Sequence, residues 1–318
     1  SIEGQGANAL NYAQTDDARR AARPGGCLFT RKGARGTMAK NTVLTLKKKV
    51  DEGGKVTMVT SYDYTMAALT EQAGIDMILV GDSLGMTMMG YDSTLPVTMD
   101  DMVHHTRCVT RACDNTFVVG DMPFGSYQTD VPCAVANAAR LMKEGRCQAV
   151  KLEGGATVCE QIRAMVQAGI PVVGHIGLTP QSVNAFGGFK VQGKSVDAAK
   201  QLVEDALAVE AAGAFSIVLE CVPADLATYV TSKLTSAFTI GIGAGNGCDG
   251  QVLVVQDMLG MTTGGFKPKM VRQFAQIGNA VVDAFHAYDE AVQSGDFPAA
   301  AESYKIDADV MDQVKRSF

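Results

Sequence analysis

One join recurs along this chain and constrains its fold more than any other feature. A helical pattern runs into a glycine, a short apolar run follows, and a polar residue closes the run. It reads Gln72-Ala-Gly-Ile-Asp-Met-Ile-Leu-Val-Gly-Asp82, Lys143-Glu-Gly-Arg-Cys-Gln-Ala-Val-Lys-Leu-Glu153, Gln167-Ala-Gly-Ile-Pro-Val-Val-Gly-His175 and Ala211-Ala-Gly-Ala-Phe-Ser-Ile-Val-Leu-Glu220. Gly74, Gly145, Gly169 and Gly213 stand where a helix end calls for a left-handed residue. The runs are too short for helices and suit strands buried on both faces. Further apolar runs bring the expected strand starts to Val56, Met77, Phe117, Ala149, Val172, Ser216, Thr239 and Val252. Helical patterns fall between them, at Met99 to Cys113, Val131 to Glu144, Val158 to Ala168 and Val196 to Ala212. Strand–helix alternation implies parallel pairing, and so many units most often close into an α/β (β/α)8 TIM barrel. A doubly wound sheet is the runner-up, but Thr60-Ser61-Tyr62-Asp63 is not the glycine fingerprint it wants after its first strand.

Composition agrees with a large globular domain. Of 318 residues, 47% are hydrophobic and 19% charged, so a core is affordable and disorder is excluded for most of the chain. No apolar run reaches membrane-spanning length, so no membrane partner is expected. The net charge of −6 argues against a nucleic-acid partner, whose phosphates would repel it. The 8 cysteines form no CxxC pair and read as small buried hydrophobes in a reducing compartment.

Residues 1–40 differ from the rest. They carry Arg19, Arg20, Arg23, Arg31, Lys32 and Arg35 without periodicity and are expected to be a disordered extension. The arginines suit an organellar targeting remnant, whereas Glu3, Asp16 and Asp17 do not. Met38 is a candidate alternative start. The barrel domain is placed at 41–295, closed by a long helix from Pro268 to Gln293, with 296–318 a polar C-terminal tail.

A barrel gathers its chemistry at the C-terminal ends of its strands. Those ends carry Asp63, Asp82 with Ser83, Asp121, Lys151 with Glu153, His175 and Glu220. Lys151 and Glu153 stand at i and i+2 on one strand, so both face the interior; a purely structural ion pair is the plainer alternative. Asp82, Asp121 and Glu153 come from neighbouring strands, and such carboxylates repel unless a proton or cation lies among them. Oxygen donors without thiolate or paired histidines suit a hard cation, and Mg2+ fits. Glu220 lies further round and is left free to serve as a general base. His175 suits either a substrate contact or a structural role. His104 and His105, inside a helical pattern, are not expected to be ligands. Gly241-Ile-Gly-Ala-Gly245 suits a phosphate cradle or tight packing equally. The loops 85–97 and 184–194 are glycine-bearing and suited to act as lids.

The blocks Val80-Gly-Asp-Ser-Leu-Gly-Met86, Asp92-Ser-Thr-Leu-Pro-Val-Thr98, Asp121-Met-Pro-Phe124, Val150-Lys-Leu-Glu-Gly-Gly155, Gly174-His-Ile-Gly-Leu-Thr-Pro-Gln-Ser-Val-Asn184, Leu219-Glu-Cys-Val-Pro223 and Ile240-Gly-Ile-Gly-Ala-Gly245 resemble the ketopantoate hydroxymethyltransferase family. The likeness runs in order from about Asn41 to Phe274. It implies a barrel of the phosphoenolpyruvate/pyruvate-like superfamily and a homo-oligomer, usually a decamer. It implies one-carbon transfer from methylenetetrahydrofolate to 3-methyl-2-oxobutanoate, giving 2-dehydropantoate in pantothenate biosynthesis. By motif, Asp82, Asp121 and Glu153 are similar to the family's Mg2+ ligands. Asp82, Ser83, Asp121 and Lys151 are similar to its keto-acid contacts, and Glu220 matches its proton acceptor. The location it implies is cytoplasmic, or mitochondrial for a eukaryotic source. A Mg2+-dependent lyase or phosphonomutase on the same scaffold is the alternative, distinguished by needing no folate.

Overall fold

Eight parallel strands close on themselves in chain order. The computed structural model describes residues 40–262 and 268–318. The strands are β1 (Val56–Thr60), β2 (Met77–Val80), β3 (Phe117–Asp121), β4 (Ala149–Glu153), β5 (Val172–Gly177), β6 (Ser216–Glu220), β7 (Phe238–Ile242) and β8 (Gly250–Leu253), and β8 pairs back to β1. The expected starts hold to within two residues. The barrel expectation is met, and the N-terminal extension lies outside the described residues.

Alternation along each strand sorts two cores. Met58, Met77, Val119, Ala149, Val218, Ile240 and Val252 fill the barrel, and Leu46 of helix Val43–Asp51 belongs to the same cluster. Ile78, Val118, Val150, Leu152, Ile217 and Leu219 point outward. They pack with Met102 and Val103 of helix Met99–Thr110, Ile162 and Met165 of Cys159–Gln167, and Leu202 and Val209 of Val196–Ala211. With Leu152 turned outward, Lys151 and Glu153 on either side of it turn inward, as the spacing requires.

Helix starts follow local chemistry. Thr98 and Asp101 form a reciprocal capping box, and Asp63, Asp130 and Ser195 each accept a backbone N–H of the first turn. Gly74, Gly169 and Gly213 have φ of 75°, 83° and 104°, as their helix ends demand. Gly145 differs. The left-handed position falls one residue later, on Arg146 (φ 67°), because the helix Val131–Arg140 ends in a wider π turn over Leu141–Gly145. Gly145 is needed for space instead: a Cβ there would lie 2.9 Å from Thr106 Cγ2.

The closing helix is shorter than its pattern suggested, spanning Ile277–Ser294. Residues 268–276 stay non-helical, with the Phe274 and Ile277 N–H groups spent on the carbonyls of Met258 and Leu259. A second helix, Ala308–Ser317, forms within the polar tail. Among the described residues no helix is long and apolar enough to cross a membrane.

Candidate active site

Parallel register carries one row of side chains around the C-terminal mouth. Asp121 pairs with Lys151, Glu153 with His175, and Gly177 with Glu220, so β3 to β6 present their last polar residues side by side. Asp82 lies two residues past the end of β2 and donates its N–H to Asp121 Oδ2 at 3.2 Å. Asp63 does not join them; its carboxylate is spent capping helix Tyr64–Gln72.

Lys151 is the hub. Its Nζ lies 2.8 Å from Asp121 Oδ1 and 3.2 Å from His175 Nδ1, and the side chain is only 4% exposed. His175 sits between two acids: Nδ1 is 3.5 Å from Glu153 Oε1, and Nε2 is 3.1 Å from Glu220 Oε2. Neither Asp121 Oδ1 nor His175 Nε2 completes an aligned hydrogen bond among the described residues, although both are buried.

Burial sets the electrostatics. It pushes the Asp82 carboxyl well above its ordinary range, reinforced by Asp121 and Glu153 and only partly relieved by Lys151. Asp121 is also raised by burial, against the pull of Lys151. Burial would weaken the Lys151 charge, but Asp121, Glu153 and Asp82 outweigh it and hold the ammonium protonated above its usual range. Burial also opposes ionisation of Glu153, yet His175, Lys151 and the Gln181 N–H hold it low. His175 is pulled down by burial and Lys151 and pushed up by Glu153 and Glu220, ending at about 9. The Lys151 contact joins donor to acceptor only when Nδ1 is bare; in either state Nε2 carries hydrogen.

Asp82 and Asp121 are buried neighbouring carboxylates, with Asp121 Oδ1 facing the Lys151 ammonium, and such a donor set fits a hard divalent cation. Among the described residues no three His, Cys, Asp or Glu side chains converge tightly enough to hold an ion alone. Glu153 stands behind the pair, with Oε2 accepting the Gln181 N–H at 3.0 Å. Substrate oxygens and water would have to supply the remaining ligands, as Mg2+ sites commonly allow.

Three working residues escaped the sequence reading. Gln181 donates to Asp82 Oδ2 at 2.8 Å and to the Met122 carbonyl at 2.9 Å. Tyr127, fully buried, donates to Gln181 Oε1 at 2.7 Å and accepts the Glu153 N–H at 3.1 Å. Tyr62 holds the Ser83 hydroxyl at 2.8 Å. A lone glutamine or tyrosine has no spacing signature, so only the fold reveals them. His105 accounts for itself structurally through Tyr62 O at 2.7 Å.

A family model described as ketopantoate hydroxymethyltransferase matches residues 40–300. The chain is 60% identical over 275 residues to 3-methyl-2-oxobutanoate hydroxymethyltransferase of Clostridium novyi (strain NT), covering 86% of this chain and 99% of that protein. It is 58% identical over 275 residues to the enzyme of the same name from Enterococcus faecalis (strain ATCC 700802 / V583), with the same coverage. Among solved structures it is similar to phosphonopyruvate hydrolase complexed with oxalate and Mg2+, at TM-score 0.54 and 12% identity, covering 87% of this chain and 96% of that one. It is also similar to 2,3-dimethylmalate lyase, a PEP mutase/isocitrate lyase superfamily member, at TM-score 0.52 and 16% identity, covering 86% and 98%. At those identities the two structures share the barrel and nothing finer. The lyase and mutase alternative thus has the fold on its side, while the hydroxymethyltransferases share most of the sequence.

Proposed function

The chain belongs to the ketopantoate hydroxymethyltransferase family, and from that premise we propose how its own residues carry out the transfer. The reaction is that of a 3-methyl-2-oxobutanoate hydroxymethyltransferase: C3 of the keto acid gains a hydroxymethyl group, and 2-dehydropantoate results. Methylenetetrahydrofolate is the proposed donor. Neither reactant carries the oxygen of the new hydroxyl, so one water enters the balance and tetrahydrofolate leaves.

The observation that supports this reading is the division of the mouth into two halves. Buried Asp82, Asp121 and Lys151 hold one side, and Glu220 holds the other with 15% of its side chain exposed. Asp82 and Asp121 are the proposed ligands of Mg2+, with Glu153 behind them. When bound, the ion supplies Lewis-acid polarisation of the keto acid and so acidifies its C3–H. Ser83, steadied by Tyr62, is the proposed hydrogen-bond donor to the keto acid's carboxylate. Glu220 takes the C3 proton as general base. Lys151, kept charged by its acidic neighbours, stabilises the negative charge that moves onto the keto oxygen. The resulting carbanion equivalent forms the new C–C bond to the one-carbon unit; both C–N bonds to the folate break, the oxygen of the water becomes the hydroxyl, and the C3 proton and the other hydrogen of the water end on the two folate nitrogens.

Homo-oligomers are proposed as well. The helix Ile277–Ser294 buries none of its residues, and Val281, Val282, Phe285 and Tyr288 leave apolar surface that a second copy would cover.

The test is a product assay with keto acid and Mg2+, with and without methylenetetrahydrofolate. 2-Dehydropantoate that forms only with the folate supports the reading. Folate-independent cleavage of a dimethylmalate-like or phosphonopyruvate-like substrate would transfer the chain to the lyase and mutase class.

A further inference from the structure

His175 has no role in the scheme above, yet it lies at its centre. It is 3% exposed on β5, between the acid behind the proposed cation side and the acid that acts as base. The ring is gripped at one end only. Lys151 Nζ reaches Nδ1 at 3.2 Å; a neutral ring accepts there and keeps its hydrogen on Nε2, and the protonated ring that Glu153 and Glu220 favour carries a hydrogen on Nε2 as well. Nε2 lies 3.1 Å from Glu220 Oε2, and its N–H completes no aligned bond there or elsewhere among the described residues. A buried donor left this way normally finds a partner, because an unmade hydrogen bond is costly. Glu220 is the one acid in reach, at the end of the neighbouring strand, and its side chain is partly open.

We propose that His175 is the positioning residue for the base: its Nε2–H engages Glu220 Oε2 when the keto acid is bound and turns the other carboxylate oxygen toward C3. This deepens the reading above and rests on Glu220 being the base. The backbone supports it, because Gly177 of β5 pairs with Glu220 of β6 and fixes how far the two side chains can part. Lys151 then acts twice. It faces the keto acid directly, and it sets the imidazole that aims the base. The arrangement follows the general pattern in which a catalytic base is oriented by a third group.

Two near-isosteric variants separate aiming from packing. Asparagine retains an acceptor at the Nδ1 position for Lys151 but has nothing at Nε2. Glutamine extends a donor toward the Nε2 position. The measurements are deuterium exchange at C3 of 3-methyl-2-oxobutanoate in D2O with Mg2+ present, and keto-acid affinity. His175→Asn is expected to slow exchange about tenfold to a hundredfold, the loss of one hydrogen bond to a charged group, while affinity changes less than about threefold. His175→Gln is expected to recover a good part of that rate. In a Glu220→Gln background, His175→Asn should slow nothing further, since two groups acting as one unit are not additive. Equal rates for the asparagine and glutamine variants, or affinity falling as steeply as rate, would overturn the proposal. If Glu220→Gln itself exchanges normally, the base assignment fails first. If Glu220→Gln is dead and His175→Asn exchanges like the parent, only the positioning role fails.

Discussion

Lys151 is a structural residue to which the proposed reaction gives a chemical role as well. It is the one lysine buried among Asp121, Glu153 and Asp82, and removing it leaves acids facing each other without compensation. Breaking such a pair typically costs about 3–5 kcal/mol. Lys151→Met is therefore expected to lower the melting temperature, and added Mg2+ should recover more of it in the variant than in the parent. No shift with Mg2+ in either protein would contradict the proposed cation site. Gln181 is a second test at this scale. Gln181→Leu takes the amide donor from Asp82 Oδ2 and the Met122 carbonyl, while Tyr127 Oη keeps its contacts with the Glu153 backbone, and unmet buried groups cost about 1–3 kcal/mol. Denaturant unfolding should show that loss, and an unchanged midpoint would mean water replaces the amide. Asp121, Glu153 and Glu220 were legible in the sequence because each closes a strand, and Asp82, Lys151 and His175 because each lies within two residues of a strand end. Gln181, Tyr127 and Tyr62 were not, because what selects them is the partner they meet across the mouth, and that partner lies tens of residues away.

Strand positions were the most readable elements. Most are short and mainly apolar, as strands covered on both faces must be, although Thr57 of β1 and Gln251 of β8 are exposed. Helix ends were less readable where the backbone had an alternative. Gly145 carried the expected helix-stop signal, but the π turn moved the left-handed position to Arg146. Pro268 to Gln276 carried enough apolar residues to extend a helical pattern, but the Phe274 N–H of this stretch, and that of Ile277 just after it, are committed to carbonyls of the preceding segment. Arg146 invites an experiment. A non-glycine residue at φ 67° is strained by about 1 kcal/mol, so Arg146→Gly is expected to raise stability by up to that amount. Gly145→Ala should lower it, since the added methyl meets Thr106. Thermal melts of the two variants check both signs, and a stabilised Gly145→Ala would show that the spacing there is loose.

At the scale of the molecule, the barrel turns a sequence repeat into a site. Closure in chain order brings β2 to β6 around one side of the mouth, so acids 82, 121, 153 and 220 share a single pole despite their separation. The C-terminal helices extend this to assembly. Val281, Phe285 and Tyr288 project from Ile277–Ser294 with 37%, 67% and 59% of their surface exposed, more apolar area than an isolated barrel needs. Sedimentation should find a species larger than one chain, and Phe285→Glu should shift it toward smaller forms; a monomer at micromolar concentration would contradict the proposed homo-oligomer. Proton transfer to Glu220 is the step on which the proposed reaction depends. The direct measurement is C3 deuterium exchange by Glu220→Gln alongside keto-acid binding. Exchange should fall to the uncatalysed rate while the affinity for 3-methyl-2-oxobutanoate stays within a few-fold of the parent. Exchange at the parent's rate in that variant would show that another group takes the proton.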